Sequence, residues 1–306
     1  MTRMNRFSWP HFRLVAWGIT VVFLFGCGKT ISTPIPLKGI FVPFAMCMAE
    51  VPAKRQVEIA RQMGFHGIGL AGMDAERIRE FAGLPEVESG SFKVPSVLWY
   101  FPVFDTIRVP WLDSILEDAH RMDMAIWMVA SAKGLRDDST KSRSVAQFGL
   151  VAGRCRAKGA RLVIYPHAGT VMETAEDGLW MLDSLARLGY HEVRLSMHLC
   201  HELKMGNRSR LSEIVAKVAP HLALVSVSGA DKFTNLRGSE WKSAIKPLDE
   251  GSYDVRIFLQ ALSEAGYPGP IELHTYGLTN PEAPGYDRHL ERSLARWNQW
   301  VVRSSN

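Results

Sequence analysis

The chain has 306 residues, of which 47% are hydrophobic and 22% charged, and its formal net charge is +5. Those proportions belong to an ordinary globular protein, with a core large enough to need neither disulfides nor a structural metal. Part of the positive charge sits at Arg3, Arg6 and Arg13 and the rest is spread out; with no Lys/Arg stripe interleaved with aromatics, nucleic acid is not an expected partner.

Residues 1–27 read as a targeting signal. Met1 to Arg13 is basic, Leu14 to Phe25 is almost wholly apolar, and Gly26-Cys27 follows. A basic region, a short apolar run and a small residue before the cut describe a secretory signal peptide. The run is too short for a comfortable membrane span. Gly26-Cys27 looks like a bacterial lipobox, in which Cys27 is lipidated, becomes the new N-terminus and anchors an exported chain to the membrane. Phe25 is bulkier than that motif usually carries, which leaves open ordinary signal cleavage or an uncleaved anchor; the bland reading is a buried helix. Residues 28–37, rich in Thr, Ser and Pro, read as a spacer rather than a helix cap. The folded domain is expected over 38–306, with no further boundary.

From Gly39 onward short apolar runs alternate with amphipathic segments. Strands are predicted at Ile40–Met46, Gly67–Ala71, Ser96–Tyr100, Ala125–Ala130, Arg161–Tyr165, Glu192–Met197, Ala223–Val227 and Ile271–Thr275. Between them helices are predicted at Ala53–Met63, Ala75–Phe81, Trp111–Arg121, Lys141–Lys158, Ala175–Leu188, Arg208–Val218 and Asp254–Ala265, and Asp287–Val302 closes the chain. Strict alternation implies a parallel sheet, and eight units close as a single-domain (β/α)₈ barrel. Gly64, Gly159, Gly189 and Gly266 stand where helices must end sharply before the next strand. Cys47, Cys155 and Cys200 are an odd number without CxxC spacing and are expected as buried small hydrophobes; any disulfide would join only two of them. The longest connection, Asp231 to Asp254, is expected to lie over the mouth.

In such a barrel, chemistry sits where strands end and the following loops begin. The fifth strand ends in Tyr165-Pro166-His167, the sixth in His198-Leu199-Cys200-His201-Glu202-Leu203-Lys204, the seventh in Ser228-Gly229-Ala230-Asp231 and the eighth in His274-Thr275-Tyr276. Imidazole is a common metal ligand and the usual acid or base near neutral pH. Strand side chains alternate, so Tyr165 with His167, Ser196 with His198, Ser226 with Ser228, and Glu272 with His274 are expected to share the inward face. An inward Glu272 needs a partner, and Arg194, of matching parity, is the candidate. Glu202 and Lys204 read either as an exposed pair or as functional groups, and Glu173 and Asp231 are further carboxylates within reach. Asp231 reads equally as a turn cap. Trp99, Tyr100, Phe101 and Trp127, at the third and fourth strand ends, suit either ring stacking on a ligand or packing of the mouth. Cys200 is expected buried rather than nucleophilic.

The barrel, with Tyr-Pro-His-Ala-Gly, Leu-Cys-His-Glu-Leu-Lys, Ser-Gly-Ala-Asp and the 247–255 segment Pro-Leu-Asp-Glu-Gly-Ser-Tyr-Asp-Val, resembles the xylose-isomerase-like TIM barrels over roughly residues 38–300. That superfamily holds sugar isomerases, sugar epimerases and the endonuclease IV group. The resemblance implies a divalent metal held by Glu, Asp, His and Glu at the ends of strands five to eight. Those positions here are Tyr165, His198, Ser228 and His274, so the carboxylate site is absent, while two auxiliary histidines match as His167 and His201. The trinuclear site of the repair branch is not visible. What the resemblance leaves is a carbohydrate isomerase or epimerase. In it His198, His201 and His274 hold Zn, Mn, Fe or Co, His167 or His274 moves a proton, and Tyr165, Trp99, Ser228, Asp231 and Lys204 bind the sugar. The alternative is a non-catalytic carbohydrate-binding barrel lipoprotein with a degenerate metal site.

Overall fold

A computed structural model describes residues 33–46, 48, 50–232, 241–277 and 286–303. Ten strands appear among them: β1 (Ile35–Leu37), β2 (Phe41–Phe44), β3 (Leu70–Ala71), β4 (Ser96–Pro102), β5 (Ala125–Ser131), β6 (Arg161–Ile164), β7 (Arg194–His198), β8 (Leu222–Val227), β9 (Ile271–His274) and β10 (Val301–Arg303). β2 to β9 form one eight-stranded sheet in the order β2-β9-β8-β7-β6-β5-β4-β3, with every pairing parallel. The two ends meet through a parallel bridge between Phe44 and Gly69, where the Ala45 amide donates to the Gly69 carbonyl and the Gly69 amide to the Pro43 carbonyl. The sheet thereby closes, which is the (β/α)₈ TIM barrel the alternation predicts.

Closure explains why the strands are apolar on both faces. One face fills the barrel and the other packs under the helices. Phe44, Trp127, Val163, Tyr165 and Leu224 form one interior cluster. The helices begin and end on ordinary local chemistry. Asp74 accepts the Glu76 and Arg77 amides, and Thr174 with Asp177 makes a reciprocal capping box. The longest helix, Asp138–Lys158, stops at Gly159, whose left-handed φ of 69° a side chain would resist.

Several boundaries differ from the sequence expectation. Residues 35–37, read as the end of the spacer, form β1, which pairs in parallel with β10 outside the barrel. The last helix therefore stops at Trp300, and Val301–Arg303 is extended rather than helical. β3 keeps only two residues, because its neighbours join by isolated bridges. Cys155 and Cys200 are free and buried, as expected; Cys47 and Cys27 lie outside the described residues. Among the described residues, no helix is long and apolar enough to cross a membrane.

Candidate active site

At the C-terminal mouth of the barrel a pocket of about 300 Å³ is lined by Phe44, Met46, Leu98, Tyr100, Tyr165, His167, His201, Trp241, Ile245, His274 and Tyr276. Strand parity accounts for its floor. Tyr165, His198 and Trp127 lie with near-parallel rings, Tyr165 and His198 at 3.8 Å between centroids and Trp127 and Tyr165 at 4.4 Å. The Trp127 indole N–H donates to Ser196 Oγ at 2.7 Å, which donates in turn to the Ile164 carbonyl.

His167 sits on a rigid loop. Its amide donates to the Met172 carbonyl, Thr170 donates through both amide and hydroxyl to the His167 carbonyl, and Glu173, bonded to the Gly169 amide and to Arg136, braces the far side. The ring Nδ1 lies 2.9 Å from the Ala168 carbonyl. A carbonyl only accepts, so Nδ1 carries the proton and Nε2 keeps its lone pair. His201, in the helix Leu199–Lys204 that follows β7, is the converse. The Ala168 amide donates to its Nδ1 at 3.4 Å, so its proton is on Nε2, which donates to the Tyr165 hydroxyl at 3.1 Å. His274 accepts the Tyr276 amide at Nδ1, 3.2 Å away, and so presents an Nε2–H.

Burial keeps these rings neutral. It lowers His167 to about 4 and His274 to about 3, with repulsion from His167 adding to the latter, and holds His198 and His201 well below the ordinary imidazole range. His198 is the outlier in bonding: neither ring nitrogen has a partner.

His198, Cys200, His201 and His274 each bring one possible ligand atom within 4.8 Å of the others, close enough for a single ion to bridge. Three imidazoles and a thiol suit Zn, Mn, Fe or Co better than Mg. The existing hydrogen bonds oppose that use. A ligating imidazole offers one nitrogen to the metal and gives its other N–H to an acceptor. In His201 and His274 a backbone N–H already holds Nδ1, so Nε2 bears hydrogen and no lone pair remains. Burial also pushes the Cys200 thiol up to about 12. The distances suit a metal and His198 keeps a free lone pair, but the His201 and His274 rings as bonded offer none.

Other expected site residues lie elsewhere. Trp99 packs outward against Phe101 and Trp111, and its neighbours Leu98 and Tyr100 face the pocket instead. Ser228 donates to the Ala244 carbonyl, tying down the short helix Trp241–Ala244, so it positions Trp241 rather than lining the pocket. Asp231 pairs with Lys246 at 2.8 Å and accepts the Ser252 amide, holding the loop in which it starts. Lys204 lies over the Trp241 ring at 4.4 Å. Glu202 and Lys204 are both buried, not an exposed pair. Glu202 accepts the Ala175 amide and the Asn207 side chain at the head of the helix Ala175–Arg187, and burial raises its carboxyl to about 7.

The expected Arg194–Glu272 pair does not form. Arg194 begins β7 at the exposed rim and donates to the Pro220 carbonyl. Glu272 is fully buried, accepts Ser96 Oγ at 2.7 Å on one oxygen and has no partner on the other, and burial raises it to about 8. It is a neutral acid within the barrel, and neutrality replaces the missing cation. Trp241, Ile245, Met46 and Tyr276 escaped the sequence reading. Trp241 opens a four-residue helix and the others stand on loops, where no periodicity marks an inward side chain.

The chain belongs to the xylose isomerase-like TIM barrel family, whose model matches residues 57–296. Among solved structures it is similar to a D-allulose 3-epimerase from Methylomonas, at 16% identity and a TM-score of 0.68, covering 88% of this chain and all of that one. A 3-keto-D-glucoside 4-epimerase from E. coli aligns at 14% identity and a TM-score of 0.66, covering 85% of this chain and 99% of that one. The IOLI protein, in a structure with a zinc atom, aligns at 14% and 0.63, over 86% and 99% of the two chains. Identities this low show the shared barrel alone. No curated protein matches the sequence significantly.

Proposed function

We propose that this barrel is an isomerase or epimerase of a carbohydrate or carbohydrate derivative, moving a proton between neighbouring carbons. The observation that carries this is the pairing, around one pocket at the barrel mouth, of an imidazole acceptor at His167 with an imidazole donor at His274. Proton abstraction beside a carbonyl needs a base for the C–H and a donor for the oxygen that gains charge. Tyr165 completes the donor side: its oxygen receives the His201 N–H, leaving its own proton for a ligand. Tyr100, Tyr276 and Trp241 supply faces on which a sugar ring can stack. Structural neighbours hold D-allulose and D-tagatose, which supports a sugar-sized occupant.

The test is solvent exchange. The protein is incubated with a panel of ketoses and aldoses in D₂O, and carbon-bound deuterium is read by NMR. Deuterium at a carbon next to the carbonyl, lost in His167→Gln, is the expected result. No incorporation into any sugar, alongside saturable sugar binding, favours the second reading, a carbohydrate-binding barrel without chemistry. The observation behind that reading is that Tyr165, His198, Ser228 and His274 include no carboxylate.

We propose also that the chain is exported and held at a membrane through lipid on Cys27. The support is the basic, apolar, Gly26-Cys27 order of its first residues, all of which lie outside the described ones.

A further inference from the structure

We propose that this pocket works without a metal, through neutral imidazoles of fixed and opposite tautomers: His167 Nε2 is the one basic nitrogen among the side chains that line it, and His274 Nε2–H and the Tyr165 hydroxyl are its donors. The inference deepens the isomerase reading and rests on it for the reaction, but its structural half stands alone.

Three backbone groups fix these tautomers. Two are amides, of Ala168 and Tyr276, each donating to a ring Nδ1, on His201 and His274. The third is the Ala168 carbonyl, which takes the Nδ1–H of His167. One peptide residue therefore sets two rings in opposite senses: Ala168 takes a proton from His167 with its carbonyl and gives one to His201 with its amide. Main-chain groups cannot exchange donor for acceptor, so these tautomers are properties of the fold. Turning His201 or His274 to ligate a metal through Nε2 would set its Nδ1–H against a peptide N–H. The cost is a lost hydrogen bond and two buried donors facing each other.

A single acceptor also narrows the chemistry. His167 Nε2 takes the proton from the carbon beside the carbonyl. The C–H pair becomes the double bond of an enediolate, and the carbonyl π pair moves to its oxygen, which receives hydrogen bonds from His274 and Tyr165. The His167 imidazolium then returns the proton to the neighbouring carbon, while the proton of the adjoining hydroxyl passes to the first oxygen. Atoms and charge balance, and no oxidant or metal enters. Inverting one carbon would need a second base on the opposite face, whereas one base serves a 1,2-shift, so the arrangement points to aldose–ketose isomerisation over epimerisation.

The experiment uses the full-length chain carrying ¹⁵N-histidine, purified without chelator and assigned through single His→Gln variants. Long-range ¹H–¹⁵N correlation reads each tautomer. His167 as Nδ1–H, with His201 and His274 as Nε2–H, unchanged by one equivalent of Zn²⁺ or Mn²⁺, is expected, together with less than about a tenth of an equivalent of bound metal. Nδ1–H tautomers at His201 or His274, or a stoichiometric metal whose removal shifts their resonances, overturns the proposal. Where a sugar shows deuterium exchange, the rate is expected to survive EDTA; loss of the rate with EDTA and recovery with metal also overturns it. Absence of exchange on every sugar defeats the isomerase reading, and the tautomer and metal measurements still decide whether the site is metal-free.

Discussion

Glu272→Gln tests how the barrel holds its charge. In the folded chain the Glu272 carboxyl keeps its proton to about pH 8, against an ordinary 4.5, because it is buried with one weak partner. Between those values the folded state binds one proton more than the unfolded state. Unfolding then releases a proton, and stability falls as pH rises, by about 1.4 kcal/mol per pH unit. The four histidines of the mouth act in the opposite sense. Their folded values lie below 6.5, so they add stability steeply as pH rises towards 6.5 and only about 0.4 kcal/mol each beyond it. Glu202, raised to about 7, is nearly spent by then. Stability is therefore expected to peak near pH 6.5 and to fall by roughly 1 kcal/mol by pH 8, the Glu272 loss being partly offset by the last of the histidine gain. Glutamine keeps the shape and cannot ionise. It costs about 1 kcal/mol at pH 6.5, since its amide N–H has no acceptor where Glu272 Oε2 has no partner. Above pH 7 its curve is expected to run nearly flat and to cross the parent's at about pH 7.3, where about 1 kcal/mol of the Glu272 contribution has been lost. Urea unfolding followed by circular dichroism at half-unit steps from pH 5.5 to 9 gives both curves. Equal slopes above pH 7 in the two proteins would refute the reasoning, because Glu272 would then be ionised in the folded state.

Three further outcomes are expected, two from these contacts and one from the N-terminal sequence. Acidification from pH 6.5 to 5 is expected to lower stability, because His198 and His201, held well below the ordinary imidazole range, join His167 and His274 against the two raised carboxyls, and a flat acid limb in the same titration would contradict the neutral-histidine assignment. Gly69→Ala places a Cβ 2.5 Å from Glu272 Oε2 in a closed interior and should cost about 1–3 kcal/mol, seen as a lower Tm; an unchanged Tm would mean that the carboxyl lies elsewhere. Cys27→Ala should remove a lipid-sized mass from the N-terminal peptide and shift the chain out of the membrane fraction; a parent protein whose mature form retains Met1 would rule out the lipobox.

Which parts of this were readable in advance depends on where each residue's constraint lies. The inward set Tyr165, His198 and His274 followed from strand period alone, because each sits at a strand's end with apolar alternates. Trp99 did not, because β4 is apolar on both faces and runs on to Pro102, so nothing in Ser-Val-Leu-Trp-Tyr-Phe-Pro marks its phase. Arg194 shared the parity of His198 but starts its strand, where the rim lets a long side chain turn out to the Pro220 carbonyl. Parity assigns a face, not a depth. Glu202 and Lys204 looked exposed because they are charged. A helix N-terminus needing an acceptor and an indole needing cover are tertiary facts with no local signature. The tautomers were hidden for the same reason: they are set by peptide groups one or two residues away, or across a loop, and not by side-chain identity.

The substitutions at the four strand ends make sense only together. The family resemblance sets three carboxylates and a histidine where this chain has Tyr165, His198, Ser228 and His274. Carboxylates gathered at buried strand ends repel one another and need a cation to stay ionised. Here every member of the set is neutral, and two hydrogen-bond to the backbone instead: His274 to the Tyr276 amide and Ser228 to the Ala244 carbonyl. Restoring one carboxylate therefore should not restore a site. In His274→Glu the new group would face Phe44, which meets His274 edge-on at 5.5 Å, and imidazoles that burial keeps uncharged. Ionised at pH 8 it should cost about 3 kcal/mol or more, and much less at pH 5, where it can take a proton. Thermal melts with and without 1 mM Mn²⁺ or Zn²⁺ decide the matter. The expected result is a Tm lowered at pH 8 and not recovered by metal. Recovery to the parent Tm would show that His198, Cys200 and His201 can still close around an ion, and that the backbone bonds holding the rings are weaker than their geometry implies.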